Sequence, residues 1–164
     1  MAARINRDVR YRQLFPDADT LTFIPARGGF VPLPIVLRKL LHVLSPPQLR
    51  VLIYLMTRCS RHGIAYPTTD EIARDLGLRN KRLIEQCIIA LQNCHFVSIR
   101  EADGRRVFLL HDPAVAATRL ARDGRISARD LAEIEGLLAD LGLPLLTEQL
   151  ESGSGSTAAT EDRP

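Results

Sequence analysis

The sequence predicts a mainly α fold with a small β-hairpin (α+β) and a helical extension at the C-terminal end. Three observations predict it. Apolar residues recur at helical spacing through several segments. Two of the shortest of these segments meet at a glycine that suits a tight turn. Two apolar runs then flank Asp103-Gly104, a strong hairpin signal. The 164 residues are 46% hydrophobic and 25% charged, enough apolar material for one packed core. That composition excludes bulk disorder, collagen-like repeats and a disulfide miniprotein.

Residues 1–29 read as a basic arm or extended segment, with Arg4, Arg7, Arg10 and Arg12 in a polar stretch. Two readings stay open: an arm that tracks phosphates, or a solvated segment with no specific partner. An apolar run at 21–24 and Gly28-Gly29 suggest a small hairpin or extended strand, which Pro25, Pro32 and Pro34 keep out of any central sheet position. Residues 30–112 form the main unit. A short helix is expected over 35–44. Ser45-Pro46-Pro47 starts the next, since serine caps and proline fits a first helical turn. Leu49, Leu52, Ile53 and Met56 give it one apolar face, and Gly63 closes the segment.

Thr68 followed by Glu71 makes a capping box, Ile72 and Leu76 share a face, and Gly77 ends that helix. Asn80 caps the next, where Ile84, Cys87, Ile88 and Leu91 repeat at i, i+3, i+4 and i+7. Ala73 is small where the two must approach. Together they are a helix-turn-helix. Phe96, Val97 and Ile99 form one strand run and Val107, Phe108, Leu109 and Leu110 the other, with Arg105 and Arg106 just after the turn.

Residues 113–150 read as a helical extension. Asp112-Pro113 starts one helix, Ser127 and Asp130 cap a second, and Leu131, Ile134, Leu138 and Leu141 stripe it until Gly142 and Pro144. That stripe needs a cover: the chain's own first helix, a second copy in a homodimer, or another protein. Residues 151–164 are Gly, Ser, Thr, Ala and charge without periodicity, a disordered tail.

Charge is unevenly spread. Residues 1–112 carry 17 Lys and Arg against 10 Asp and Glu, a net of +7, whereas residues 113–164 carry 5 against 9, a net of −4. A basic front suits an anionic partner. No apolar run has the roughly 18 residues of a membrane helix and no signal peptide is visible, so a cytoplasmic, nucleoid-associated location with no membrane partner is expected. Cys59, Cys87 and Cys94 form no CxxC pair and read as reduced, buried thiols. No metal-ligand spacing, phosphate-cradling glycine loop or nucleophile–histidine arrangement stands out. Metal, cofactor and enzymatic activity are therefore not expected.

The order helix, helix-turn-helix, hairpin resembles a winged helix-turn-helix over roughly residues 30–111. "LSPPQLRVLIYLMTR" (44–58) looks like the first helix of that family, "YPTTDEIARDLGL" (66–78) like its Ile-Ala and Leu-Gly element, and "NKRLIEQCIIALQNCHFVSI" (80–99) like the recognition helix running into the wing. The lead-in "FVPLP" (30–34) is similar to bacterial, phage and plasmid proteins, replication initiators among them. Three departures stand out. Ile88 and Ile89 are adjacent, His95-Phe96 replaces a customary glycine, and the turn at Leu78-Arg79 is slightly long.

The resemblance implies a sequence-specific binder of double-stranded DNA, most simply a transcriptional regulator. It would act through a recognition helix at about 80–93 and a wing at about 96–110, paired as a homodimer. A replication-initiation or partition protein of a mobile element is the first alternative. A protein-interaction module without DNA binding is the second. The N-terminal residues of a recognition helix reach base edges, which singles out Asn80, Lys81, Arg82, Glu85, Gln86 and Ile89. Thr68 and Thr69 open the preceding helix towards a phosphate. Arg79 lies in the turn, and Arg105 and Arg106 sit at the wing tip. Each also has a plainer reading: Asn80 as a cap alone, the cations as a solvated surface.

Overall fold

The computed structural model describes residues 2–16 and 34–140. The expected hairpin or strand at 21–31, the end of the last stripe at Leu141, the stop at Gly142 and Pro144, and the tail at 151–164 lie outside the described residues. The elements in order are α1 (Ala2–Arg12), α2 (Ile35–Leu40) with a 3-10 turn (Leu41–Val43), α3 (Pro46–Arg58), β1 (Ile64–Ala65), α4 (Thr69–Leu76), α5 (Lys81–Asn93), β2 (Val97–Ala102), β3 (Arg105–Leu110), α6 (Pro113–Arg122) and α7 (Ala128–Asp140). The described chain is mainly helical with one small antiparallel sheet, an α+β arrangement.

Capping residues set most boundaries. Ser45 and Gln48 form a capping box on α3, with prolines in its first turn. Thr68 and Glu71 do the same for α4, and the side chain of Asn80 accepts from Leu83 N on α5. Asp112 accepts from Ala114 N with Pro113 at the start of α6, and Ser127 pairs with Asp130 ahead of α7. Three helices end with the same reciprocal pair of backbone bonds. In α4 they run from Leu78 N to Ala73 O and from Gly77 N to Arg74 O. In α5 they run from Phe96 N to Leu91 O and from His95 N to Gln92 O, and in α6 from Arg125 N to Leu120 O and from Gly124 N to Ala121 O. That motif needs a left-handed residue. Gly77 (φ 64) and Gly124 (φ 68) supply it, and His95 (φ 61) takes it without being glycine. His95 Nε2 lies 2.6 Å from Asp123 Oδ2, which ties the ends of α5 and α6 together.

The sheet has three strands in the order β1-β3-β2. The sequence predicts only β2 and β3. β1 is two residues long, Ile64 opposite Leu109 and Ala65 opposite Phe108, too short to leave a periodic signal. Between β2 and β3 the register runs from Val97–Leu110 to Ala102–Arg105, and Asp103 (φ 53) and Gly104 (φ 68) form the left-handed turn. Alternation in β3 sends Phe108 and Leu110 to the helical core and Val107 and Leu109 to the opposite face. Both faces are covered, which is why this strand reads as a continuous apolar run.

The main core gathers α2 through α7 against the inner face of the sheet, with Leu40, Leu55, Ile72, Ile84, Leu91 and Leu120 wholly buried. Each such side chain contributes about 1.5–3 kcal/mol of transfer free energy. The expected stripe on α5 is buried as a unit, and Ile88 faces inward while Ile89 faces out. On α3 the buried set is Val51, Leu52, Tyr54, Leu55 and Met56, while Leu49 and Ile53 are half-buried. The expected face is thus rotated and widened, because α4, α5 and β1 enclose this helix on several sides.

Two further differences concern the ends. Residues Ala2–Arg12 are helical where an arm or extended segment was expected. This helix and the turn after it put Tyr11 and Phe15 over Ile64, Val107 and Leu109 on the outer face of the sheet. In α7, Ile134 and Leu138 are buried against the chain's own α2 and α6, and Lys39 of α2 pairs with Glu133. All three cysteines are buried, and none is in a disulfide.

Candidate nucleic-acid interface

α4, the four-residue turn Gly77-Leu78-Arg79-Asn80 and α5 stand beside the hairpin, and the residues singled out from sequence fall on this one side. Leu78 packs on the core, which anchors the turn. The exposed face of α5 opposite its buried stripe carries Arg82, Gln86 and Ile89 at i, i+4 and i+7. Ile89 is 54% exposed, the most exposed large apolar side chain among the described residues. Arg79 is exposed just ahead of this stripe, and Arg105 is exposed on the hairpin.

Several other predicted contacts are engaged inside the chain. Glu85 is half-buried. Its Oε1 accepts from Thr69 Oγ1 at 2.6 Å and its Oε2 from Arg106 Nη1 at 2.8 Å. One carboxylate therefore joins the start of α4, the middle of α5 and strand β3. Burial by itself would raise this carboxyl, but the two hydrogen bonds and the charge of Arg106 outweigh it and hold Glu85 below its ordinary value. Thr69, Glu85 and Arg106 are thus a strut between elements. Glu85 and Arg106, both singled out as DNA contacts, are thus joined to each other within the chain.

Thr68 is committed to its cap. Its Oγ1 accepts from Glu71 N at 3.2 Å, and Thr68 N donates to Glu71 Oε2 at 2.8 Å. The backbone bond from Thr68, with a smaller opposing effect of burial, lowers the Glu71 carboxyl. The Glu71 carboxylate thus takes one of the backbone N–H groups at the start of α4 and the Thr68 hydroxyl another. Asn80 Oδ1 caps α5 at 3.2 Å from Leu83 N. Lys81 pairs with Asp70 of α4 across the turn, both side chains being mostly exposed. A surface pair of this kind is worth about 0–1 kcal/mol, so Lys81 is readily drawn to a stronger anion.

The end of α4 is fastened to α3. Arg50 donates to Leu76 O at 2.8 Å, and the Tyr54 hydroxyl donates to Asp75 Oδ2 at 2.9 Å. Burial, reinforced by that bond, pushes the Tyr54 phenol up to about 12. Between Thr69 and the hairpin lies an open groove of about 300 Å³ bordered by Tyr66, Thr68, Glu101, Arg105 and Arg106. Its lining mixes both charge signs.

One contact escaped the sequence reading. Asp103, at the tip of the hairpin, accepts from Arg10 Nη2 at 2.7 Å and from the Tyr11 hydroxyl at 3.1 Å. Tyr11 also meets Tyr66 edge to face, with ring centroids 5.4 Å apart. The signal was present: Tyr11, Leu14 and Phe15 stand at i, i+3 and i+4 in an otherwise polar segment. Among the described residues, no group of His, Cys, Asp or Glu is arranged to hold a metal ion, and no helix is long and apolar enough to cross a membrane. The chain matches no family model, no curated protein and no solved structure.

Proposed function

We propose that the chain is a winged helix-turn-helix protein that binds double-stranded DNA sequence-specifically, with α5 as recognition helix and the β2–β3 hairpin as wing. The observation that carries this reading is the outward stripe Arg79, Arg82, Gln86 and Ile89, presented on a helix whose opposite face is buried and whose neighbour is a hairpin with an exposed arginine. Arginine suits guanine, glutamine suits adenine, and an apolar side chain suits the thymine methyl. The sheet order β1-β3-β2 supports it further, since the short β1 before α4 completes the sheet from which the hairpin projects. The basic balance of residues 1–112 adds non-specific attraction for the duplex.

Transcriptional regulation in the cytoplasm is the role this reading favours. A homodimer would multiply the affinity of so small a unit. It would use a surface other than the Ile134–Leu138 stripe, which is covered within the chain. The test is retention of pooled genomic fragments at two salt concentrations, followed by sequencing. A few defined sites, lost in Arg82→Ala/Gln86→Ala, are expected. Their position at promoters or at iterated origin repeats separates a regulator from a replication protein. No retention at either salt concentration would refute DNA binding and leave protein contact as the function.

A further inference from the structure

We propose that α1 and the hairpin form a second basic surface, which tracks the phosphate backbone of the same duplex beyond the contact made by α5. The inference rests on the DNA-binding reading and extends it to a part of the chain that the helix-turn-helix does not include.

The first argument is placement. α1 is held on the outer face of the sheet by Tyr11 and Phe15, and both oxygens of Asp103 at the hairpin tip are taken by Arg10 and Tyr11. A short, arginine-rich helix with no acidic residue in its first turn is marginal alone. Docked, its direction is set by the hairpin, and whatever the tip approaches, α1 approaches too.

The second argument is charge. The acid of α1, Asp8, is buried, whereas Arg7 and Arg10 are exposed. On the same side of the sheet Arg100 is exposed with its guanidinium over the Phe15 ring, 5.8 Å from its centroid. Arg105 is exposed one residue past the turn. The exposed acid among them, Asp103, is neutralised by Arg10 at 2.7 Å. The pairing offsets the charge of Asp103, and Glu101, two residues before it, is the exposed acid that remains on the hairpin, beside Arg105 and Arg106. Arg7, Arg10, Arg100 and Arg105 outnumber the exposed acids Glu101 and Asp103, so this surface keeps a positive excess that a polyanion would offset, and planar guanidinium forks fit phosphate oxygens.

The test is fluorescence anisotropy with a labelled duplex of mixed sequence, about 40 base pairs long, titrated between about 50 and 200 mM salt. The variant Arg7→Ala/Arg100→Ala touches neither α5 nor the bonds to Asp103. If both side chains meet phosphates, the slope of log affinity against log salt becomes shallower by about 1.8, or roughly 0.9 per contact. Arg7→Lys/Arg100→Lys should restore most of that slope, which separates lost charge from lost folding. An unchanged slope in the alanine variant, with Arg82→Ala still weakened, would overturn this proposal and leave α5 as the DNA contact. No binding by the wild-type protein would overturn both.

Discussion

Replacing Glu85 by glutamine separates two accounts of the same side chain. As a reader of bases, Glu85 would accept from cytosine, and its loss would lower affinity for the specific site about tenfold or more. The structure instead gives both carboxylate oxygens to Thr69 and Arg106, at 2.6 and 2.8 Å. Glutamine keeps one acceptor and removes one negative charge from the face of α5. A charge about 7 Å from a phosphate repels it by roughly 0.6 kcal/mol in water, and screening at 0.1 M salt reduces that to about 0.3. Non-specific affinity should therefore rise about twofold, and further if the released Arg106 finds a phosphate. The Glu85–Arg106 pair is about one-third exposed on each side, so the discounted stability loss is below about 1 kcal/mol. Because folding lowers the Glu85 carboxyl, its contribution is complete above the unfolded glutamate value of about 4.3. It disappears as pH falls through the lowered native value. Thermal melts of the two proteins should accordingly differ at pH 7 and converge in acid, while anisotropy reports affinity. A tenfold loss of binding with unchanged melting would refute the strut.

Other outcomes follow from the packing and the turns. Gly77→Ala places a side chain at φ 64 with open space around it, so the cost is backbone strain of about 1 kcal/mol; Gly136→Ala, inside α7 with equally open space, should stabilise by about 0.5–1 kcal/mol, and calorimetry showing the same sign for both would contradict the two conformations. Leu109 is wholly buried under Tyr11 and Phe15, and Leu109→Ala should cost about 2–5 kcal/mol in urea unfolding; a loss below 1 kcal/mol would mean that α1 does not cover the sheet. Cys59 is buried, and burial with the nearby charge of Asp8 pushes its thiol up to about 12, so at pH 8 it should react with a thiol reagent only on opening; immediate stoichiometric labelling of the native protein would show that α1 leaves this corner accessible.

The parts of the fold written in local chemistry were legible. Capping boxes at Thr68–Glu71 and Ser127–Asp130, the glycine stop at Gly77, the cap at Asn80 and the Asp103-Gly104 turn each act within four residues, and each stands where it was expected. The buried stripe of α5 was legible for the same reason. β1 was not, because two residues carry no period and their pairing partner lies more than 40 residues away. The helix at the N-terminus was masked by its arginines, which outweighed the three apolar side chains that dock it. At the candidate site, the sequence singled out residues that fall on one side of the fold, but not which charges there are already paired. In sequence Lys81, Glu85 and Arg106 stand as charged residues beside Arg79, Arg82 and Arg105, and only the fold brings Asp70, Thr69 and Glu85 within reach of the first three.

That distinction bears on how α5 would discriminate among sequences. A side chain already satisfied within the protein must give up its partner before it contacts a base, so it contributes less to discrimination than an uncommitted one. Glu85, bound twice and half-buried, loses most by turning outward. Lys81, joined to Asp70 by an exposed pair, loses least. If α5 reads DNA as proposed, discrimination would therefore fall to Arg82, Gln86 and Ile89. They span eight residues of α5, seven steps or about 10 Å along the helix at 1.5 Å per residue, or about three steps of B-form DNA at roughly 3.4 Å each. A site so short recurs by chance throughout any genome. Further selectivity must come from a second recognition helix in another copy, or from contacts outside α5. Arg10 of α1 is bound to the hairpin tip and Arg100 of β2 stands over Phe15, where the basic surface they belong to would lengthen the phosphate track without reading a base. They would add affinity, and the specificity would still have to come from pairing two copies of α5 on one duplex.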